Sequence, residues 1–215
     1  MDAQNESLQE LQHIKRMMER STRFSSLSGI SGIAAGICAL AGIWLAVREI
    51  VEWKQNQLEN LEASKDDLAN RLLIIATATF IAAAISSFIF VYRRCQKLNI
   101  PVLGISARRV IINIAIPLVV GSLFIFRLSS SGAFVLIPPA CLIFYGLALI
   151  NASKYTLDEI RYLGFTEIII GIINLWVLEY GLIFWGIGFG LAHIIYGIII
   201  WWKYEKNGTE KYTNE

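Results

Sequence analysis

Six apolar stretches, approximately 27–47, 71–92, 108–126, 132–151, 161–178 and 182–202, take up most of this 215-residue chain. A hydrocarbon core ~30 Å thick is crossed by about 20 apolar residues at the helical rise of ~1.5 Å per residue. Inside it the backbone has no water to bond, so a spanning segment must satisfy its own amides, as an α-helix does. The pattern predicts an all-α, polytopic bundle of six transmembrane helices. The bundle covers residues 25–203, between an N-terminal segment at 1–24 and a tail at 204–215. With 55% hydrophobic and 17% charged residues, too little polar sequence remains for a separate soluble domain. No short apolar core follows Met1 and no small-residue cleavage site is seen, so the first span is expected to act as an uncleaved anchor.

The basic residues orient the bundle. One side receives Lys15, Arg16, Arg20 and Arg23 before the first span, Arg93, Arg94, Lys97, Arg108 and Arg109 in the second connection, Lys154 and Arg161 in the fourth, and Lys203, Lys206 and Lys211 after the sixth. The other side receives Arg48, Lys54, Lys65, Arg71 and Arg127. The positive-inside bias therefore predicts that both termini are cytoplasmic. Trp44, Trp53, Trp176, Trp185, Trp201 and Trp202 flank span ends, where amphipathic rings anchor at the interface. A net charge of +2 scattered over these flanks points to no nucleic-acid partner. Cys38, Cys95 and Cys141 form no paired motif and read as reduced packing residues. Asn207-Gly208-Thr209 matches a glycosylation sequon but falls on the side assigned to the cytoplasm.

Leu8, Leu11, Ile14 and Met18 recur at helical spacing before the first span. They predict a short amphipathic helix lying against the bundle or the headgroups, with a docking surface for a partner as the other reading. Between spans one and two, residues 48–70 are expected to form an outer helical hairpin. Its tip is placed at 62–64, and Ser64 caps a helix that opens with Asp66 and Asp67. Gly29, Gly32 and Gly36 offer a small-residue face for packing, matched by Thr79, Ala83 and Ser86 on span two. Pro117 in span three and Pro138-Pro139 in span four predict kinks, because proline removes an intrahelical bond and clashes one turn back.

Ionisable residues deep inside spans are candidates for function, and two stand out. Glu167 in span five and His193 in span six are equidistant in sequence from Tyr180, where the connecting hairpin is expected to turn. Equal counts along antiparallel helices predict equal depth. Gly164, Gly171 and Asn174 share a face with Glu167, while Gly186, Gly190 and Gly197 share one with His193. These glycine stripes are expected to let spans five and six approach each other. Asn113, Tyr145 and Tyr196 are expected to extend the polar site, with Asn151 and Arg109 toward the cytoplasmic end. A Glu–His pair offsets the cost of burying either group and can respond to pH. The bland alternative is interhelical glue, in which polar pairs contribute about 1 kcal/mol to folding. No cofactor and no metal is expected.

The runs Arg109…Pro117…Gly121, Tyr145-Gly146…Asn151, Arg161-Tyr162-Leu163-Gly164…Gly171 and Gly188-Phe189-Gly190…His193-Ile194…Tyr196-Gly197, with Ser21 to Gly36, cover most of the chain. In these the chain resembles a group of small six-span bacterial membrane proteins. The resemblance implies a bacterial inner membrane and no particular chemistry.

Two function classes fit. The first is a non-enzymatic sensor or assembly subunit, suggested by the mixed-charge N-terminal segment and the acidic outer hairpin. Its partners would be the lipid bilayer, a second copy of the chain, or another membrane or cytoplasmic protein. The second is a small proton-coupled transporter or permease using Glu167 and His193, although no inverted repeat is evident. Enzyme chemistry is the poorest fit: there is no HExxH, phosphate loop, nucleophile elbow or cysteine cluster, and one histidine inside the spans excludes a bis-histidine haem within one chain.

Overall fold

The computed structural model describes residues 28–58, 65–98 and 101–206, which are almost entirely helical. The expected N-terminal amphipathic helix, the expected hairpin tip and Ser64 cap, and the tail beyond Lys206 lie outside the described residues. Six helices succeed one another in chain order: α1 (Gly29–Leu58), α2 (Lys65–Lys97), α3 (Ile105–Ser130), α4 (Ile137–Ser153), α5 (Asp158–Trp176) and α6 (Leu178–Lys206). Among the described residues, five helical segments are long and apolar enough to cross a membrane: α1, α2, α3, α4 with its leading turn, and α6. The exception is α5, whose 19 residues include Asp158, Glu159, Arg161 and Glu167.

Cross-helix contacts show that neighbours run antiparallel. Gly42 of α1 meets Thr79 of α2, and nearer the start of α1 the Ser31 carbonyl accepts a bond of 3.2 Å from Ser87 Oγ. Gly121 of α3 packs on Phe144 of α4, and Gly146 of α4 on Gly164 of α5. Packing continues from α1 onto α6, and from α6 onto α4 and α5. The ends of the outer hairpin are helical, α1 running on to Leu58 and α2 starting at Lys65. Exposed pairs, Arg48 with Glu52 and Arg71 with Glu49, each 3.2 Å apart, decorate this extension.

The solvent-facing pattern is the reverse of a water-soluble domain. Half of the buried apolar residues are alanines, including Ala39, Ala46, Ala140, Ala148, Ala152 and Ala192, whereas Ile74, Phe126, Trp176 and many other large apolar side chains point outward. None of the apolar window of α2 is buried. Small residues inside allow backbones to approach, and large ones outside face a medium as apolar as themselves.

The prolines behave differently in the two helices. Pro117 sits within the unbroken helix α3. Pro138 and Pro139, expected to kink span four from within, instead occupy the first turn of α4, where a missing N–H costs no helical bond. A 3-10 turn at Phe134–Leu136 precedes them. At the end of α3, Gly132 takes a φ of 74°. The Ala133 N–H bonds back to Leu128 O and the Gly132 N–H to Ser129 O, closing the helix in a Schellman motif.

The glycine stripes pack, but against partners other than those expected. Gly32 and Gly36 face α6, at Gly197 and Gly190, rather than α2. Gly186 and Gly190 face Ile43 and Leu40 of α1, and Gly197 faces Ile33, so that α6 uses this stripe on α1 and not on α5. Gly164 and Gly171 face α4, at Ile150 and Ile143. A Cβ on Gly36 would lie 2.6 Å from the Gly190 carbonyl, a backbone atom with little freedom to give way. Gly36→Leu should therefore lower stability by about 1–3 kcal/mol, measured by denaturation of the purified protein in detergent. Gly104→Ala, with Pro101 Cγ no closer than 3.7 Å, should leave it unchanged.

Candidate functional site

Three helices converge on His193. Its Nε2 is 2.8 Å from the Tyr145 hydroxyl of α4, and its Nδ1 is 3.3 Å from Glu167 Oε1 of α5. Nδ1 is also 3.1 Å from the carbonyl oxygen of Gly188 on α6 itself. Glu167 is fully buried, and neither carboxylate oxygen is hydrogen-bonded. The 3.3 Å approach to Glu167 is thus an ion-pair distance without hydrogen-bond alignment, and the ring nitrogen engages the Gly188 carbonyl instead. Tyr145 and Phe189 flank the imidazole, with ring centroids 5.4 and 6.1 Å away, and Trp185 continues the aromatic column 5.1 Å from Phe189.

Local structure explains how the carbonyl comes to be there. Residues Gly186–Ala192, sequence GIGFGLA, form a π-helical turn between α-helical flanks at Gly181–Trp185 and His193–Trp201. A π-turn accommodates an extra residue and loosens the regular bonding ladder. The His193 backbone N–H donates to Gly190 O, and its side chain bonds the Gly188 carbonyl, five residues back. Gly188 is also the residue pressed against the acid: a Cβ there would lie 2.5 Å from Glu167 Oε2 and from Leu142 Cδ2.

Two net-neutral arrangements suit such a pair at membrane depth: neutral acid with neutral imidazole, or carboxylate with imidazolium. A lone buried charge of either sign carries an uncompensated desolvation cost. Movement of one proton joins these two patterns without changing the net charge, so a response to pH needs a third pattern, carboxylate beside neutral imidazole, that takes up a proton as pH falls.

The other anticipated polar residues are placed elsewhere. Asn174, fully buried, donates from Nδ2 to the Val177 carbonyl at 3.1 Å and so closes the end of α5, leaving its Oδ1 unpaired. Tyr196 shares a 3.1 Å bond with Thr166 of α5. Asn113 folds its side chain onto Arg109 O of its own helix at 2.8 Å. Arg109 rests its guanidinium 5.8 Å from the centre of the Tyr155 ring. The turn between α5 and α6 falls at Val177 rather than at Tyr180, with a 3-10 turn at Leu178–Tyr180 leading into α6.

Asn151 has a specific task. Pro117 has no N–H, so the carbonyl four residues earlier, Asn113 O, loses its helical donor. Asn151 Nδ2 of α4 reaches that oxygen at 2.9 Å. Sequence reasoning put both residues in a polar pocket, and the structure instead pairs them as proline compensation.

One cluster escaped the sequence reading. Glu205, at the end of α6, accepts from the Gly29 N–H at 2.6 Å and from Ser28 Oγ at 3.2 Å, and is paired with Arg94 of α2. Beside it, Glu159 in the first turn of α5 pairs with Lys203 at 2.6 Å and accepts from the Tyr204 hydroxyl at 3.1 Å. The signal in the sequence was an acid at the mouth of each of two spans on an otherwise basic flank.

Fold and site together define a bundle of apolar helices with a buried acid–imidazole–phenol cluster, the construction of a multi-pass membrane protein. Compared with known proteins, the chain matches no family model, no curated protein and no solved structure.

Asn151→Leu strands the Asn113 carbonyl and should cost about 1 kcal/mol of stability in detergent. Pro117→Ala restores the missing amide, so the double variant should recover most of that loss, a coupling that a double-mutant cycle reads directly.

Proposed function

We propose that this chain is a six-span protein of a bacterial inner membrane, with both termini in the cytoplasm. Its activity is that of a non-enzymatic, proton-responsive sensor or assembly subunit. The observation that carries this reading is Glu167: fully buried, with no hydrogen bond to either oxygen, yet 3.3 Å from His193. An acid serving only as structural glue would be expected to use its oxygens on donors, as Glu159 and Glu205 do. Ionisable groups at membrane depth are costly and tend to mark function. The tight contact between Gly188 and Glu167 favours a proton over a larger ligand. All six helices are read as spans, with α5 tolerating Glu167 because the site supplies a partner. The charge asymmetry and the resemblance to small six-span bacterial proteins support the orientation and the compartment.

The runner-up is a proton-coupled permease. It is favoured by the contact series Tyr145–His193–Glu167, in which a proton can pass between three helices, and it differs in requiring net flux.

The chain has two histidines, His13 and His193, so nitrogen-15 labelling of histidine in lipid bilayers yields two assignable rings. The His193 nitrogens should change protonation as pH is lowered, and Glu167→Gln should displace or abolish that response. A His193 ring that keeps one state across the tolerated pH range, or an unchanged profile in Glu167→Gln, sinks the proposal. Proton flux in protein-loaded liposomes would favour the permease instead.

Reporter fusions check the topology. Alkaline phosphatase joined after Glu215 should be inactive, and the same enzyme inserted at residues 59–64 should be active.

A further inference from the structure

His193 presents its two ring nitrogens to different chemistry. Resting on the proton-responsive reading above, we infer that the proton of this site enters and leaves at Nε2, relayed by the Tyr145 hydroxyl. Nδ1 keeps its own proton, and Glu167 beside it supplies the counter-charge.

The Gly188 carbonyl fixes this assignment. A carbonyl oxygen accepts hydrogen bonds and cannot donate one, so its 3.1 Å contact places a proton on Nδ1. A neutral imidazole carries a single nitrogen-bound proton, which leaves Nε2 bare and able to accept. The Tyr145 hydroxyl, 2.8 Å away, is then the donor to Nε2. Glu167 Oε1, at 3.3 Å, faces a nitrogen that already bears hydrogen. In this arrangement an acid proton on Glu167 has no lone pair to meet there. The carboxylate form instead favours a charged ring by its nearness alone, which is how it acts with neither oxygen hydrogen-bonded.

The groups around the ring leave one way in. Tyr145 comes from α4, Glu167 from α5, and α6 itself contributes the Gly188 carbonyl and Phe189. From α1 an uncharged residue, Gly32, lies against the His193 carbonyl. Among the described residues, Tyr145 is the one hydrogen-bonding partner of Nε2.

The step balances with one proton from the aqueous phase. As that proton bonds to the phenol oxygen, the original O–H bond breaks and its proton forms an N–H bond at Nε2. Tyr145 ends as a neutral phenol that now accepts from Nε2–H, and the ring ends as imidazolium beside the Glu167 carboxylate. Release runs the same exchange backwards.

The test uses the full chain, nitrogen-15-labelled at histidine, in lipid bilayers. His13→Gln leaves His193 as the one labelled ring. Above the pH of the change, Nδ1 should carry a proton and Nε2 should be bare. Below it, both should be protonated. The opposite neutral tautomer, with Nε2 protonated and Nδ1 bare, overturns the assignment and leaves the proton-responsive site standing. Tyr145→Phe keeps the aromatic ring and removes the hydroxyl. It should slow exchange between the two states about 100-fold, while the Gly188 carbonyl retains the same neutral tautomer. A purely structural Tyr145 would lower stability and leave that rate in place, so exchange at the wild-type rate overturns the relay. Should Tyr145→Phe fail to fold, the tautomer in the otherwise unaltered chain decides alone. A His193 ring that never changes state defeats the underlying reading instead.

Discussion

A polar group at the depth of a bilayer must find its partner inside the protein, and the bonding throughout this bundle answers to that requirement. It explains why the backbone is helical nearly everywhere it is described. Hydroxyls folded onto the preceding turn obey the same rule, with Thr77 on Leu73 O, Ser122 on Leu118 O and Thr166 on Tyr162 O. Where a proline removes a donor from α3, an amide on α4 is placed to replace it. The Glu167 carboxylate departs from this pattern, having the His193 imidazole within reach and no hydrogen bond.

Side-chain size settles which helices touch. Between apolar helices in lipid, burial gives little preference for one neighbour over another, so contact is decided by how closely backbones can approach. Close backbone approaches join α1 to α6, through Gly29 at Trp201 and Gly197 and through Gly36 at the Gly190 carbonyl, and α4 to α5, through Gly146 at the Gly164 carbonyl, with a virtual Cβ on Gly36 or Gly146 at 2.6 Å. The candidate site lies where these two pairs join. Tyr145 is next to Gly146 in the α4–α5 contact, and the His193 carbonyl lies against Gly32 in the α1–α6 contact. The ring is therefore positioned from both sides by backbone packing, leaving side-chain bonding free to change.

Hydropathy made the spans legible because lipid thickness and helical rise fix a length, and the apolar runs have it. It did not mark helix ends: α1 continues to Leu58, past Arg48, Glu49, Glu52 and Lys54, because a charged segment leaving the bilayer remains helical. The Glu167–His193 meeting was expected from equal counts about Tyr180; the turn lies at Val177, so the counts from it are unequal, and the two residues meet nonetheless. Partner choice was not readable. A glycine stripe announces that a face packs without saying against what, so Gly190 and Gly164 were each assigned a neighbour they do not have. The role of Asn151 needed the pairing of α3 with α4 to be known first. Glu205 looked like part of a polar tail until the start of α1 was seen beside it.

Packing around the acid bears on what the cluster can exchange. A permease for a solute larger than a proton needs room beside its coupling group in at least one state. Here Gly188 and Leu142 close on Glu167 so tightly that a single added methyl would lie 2.5 Å from both Oε2 and Leu142 Cδ2. Moving a proton between Tyr145, His193 and Glu167 needs only changes in which atom carries it, over contacts of 2.8 and 3.3 Å. A solute would have to part α4, α5 and α6 at the level where the α4–α5 pair is bound by glycine contact. The same tightness that argues against solute passage makes the site sensitive to charge, because no solvent is present to screen it. A buried acid in close packing is therefore better suited to reporting a proton than to carrying cargo.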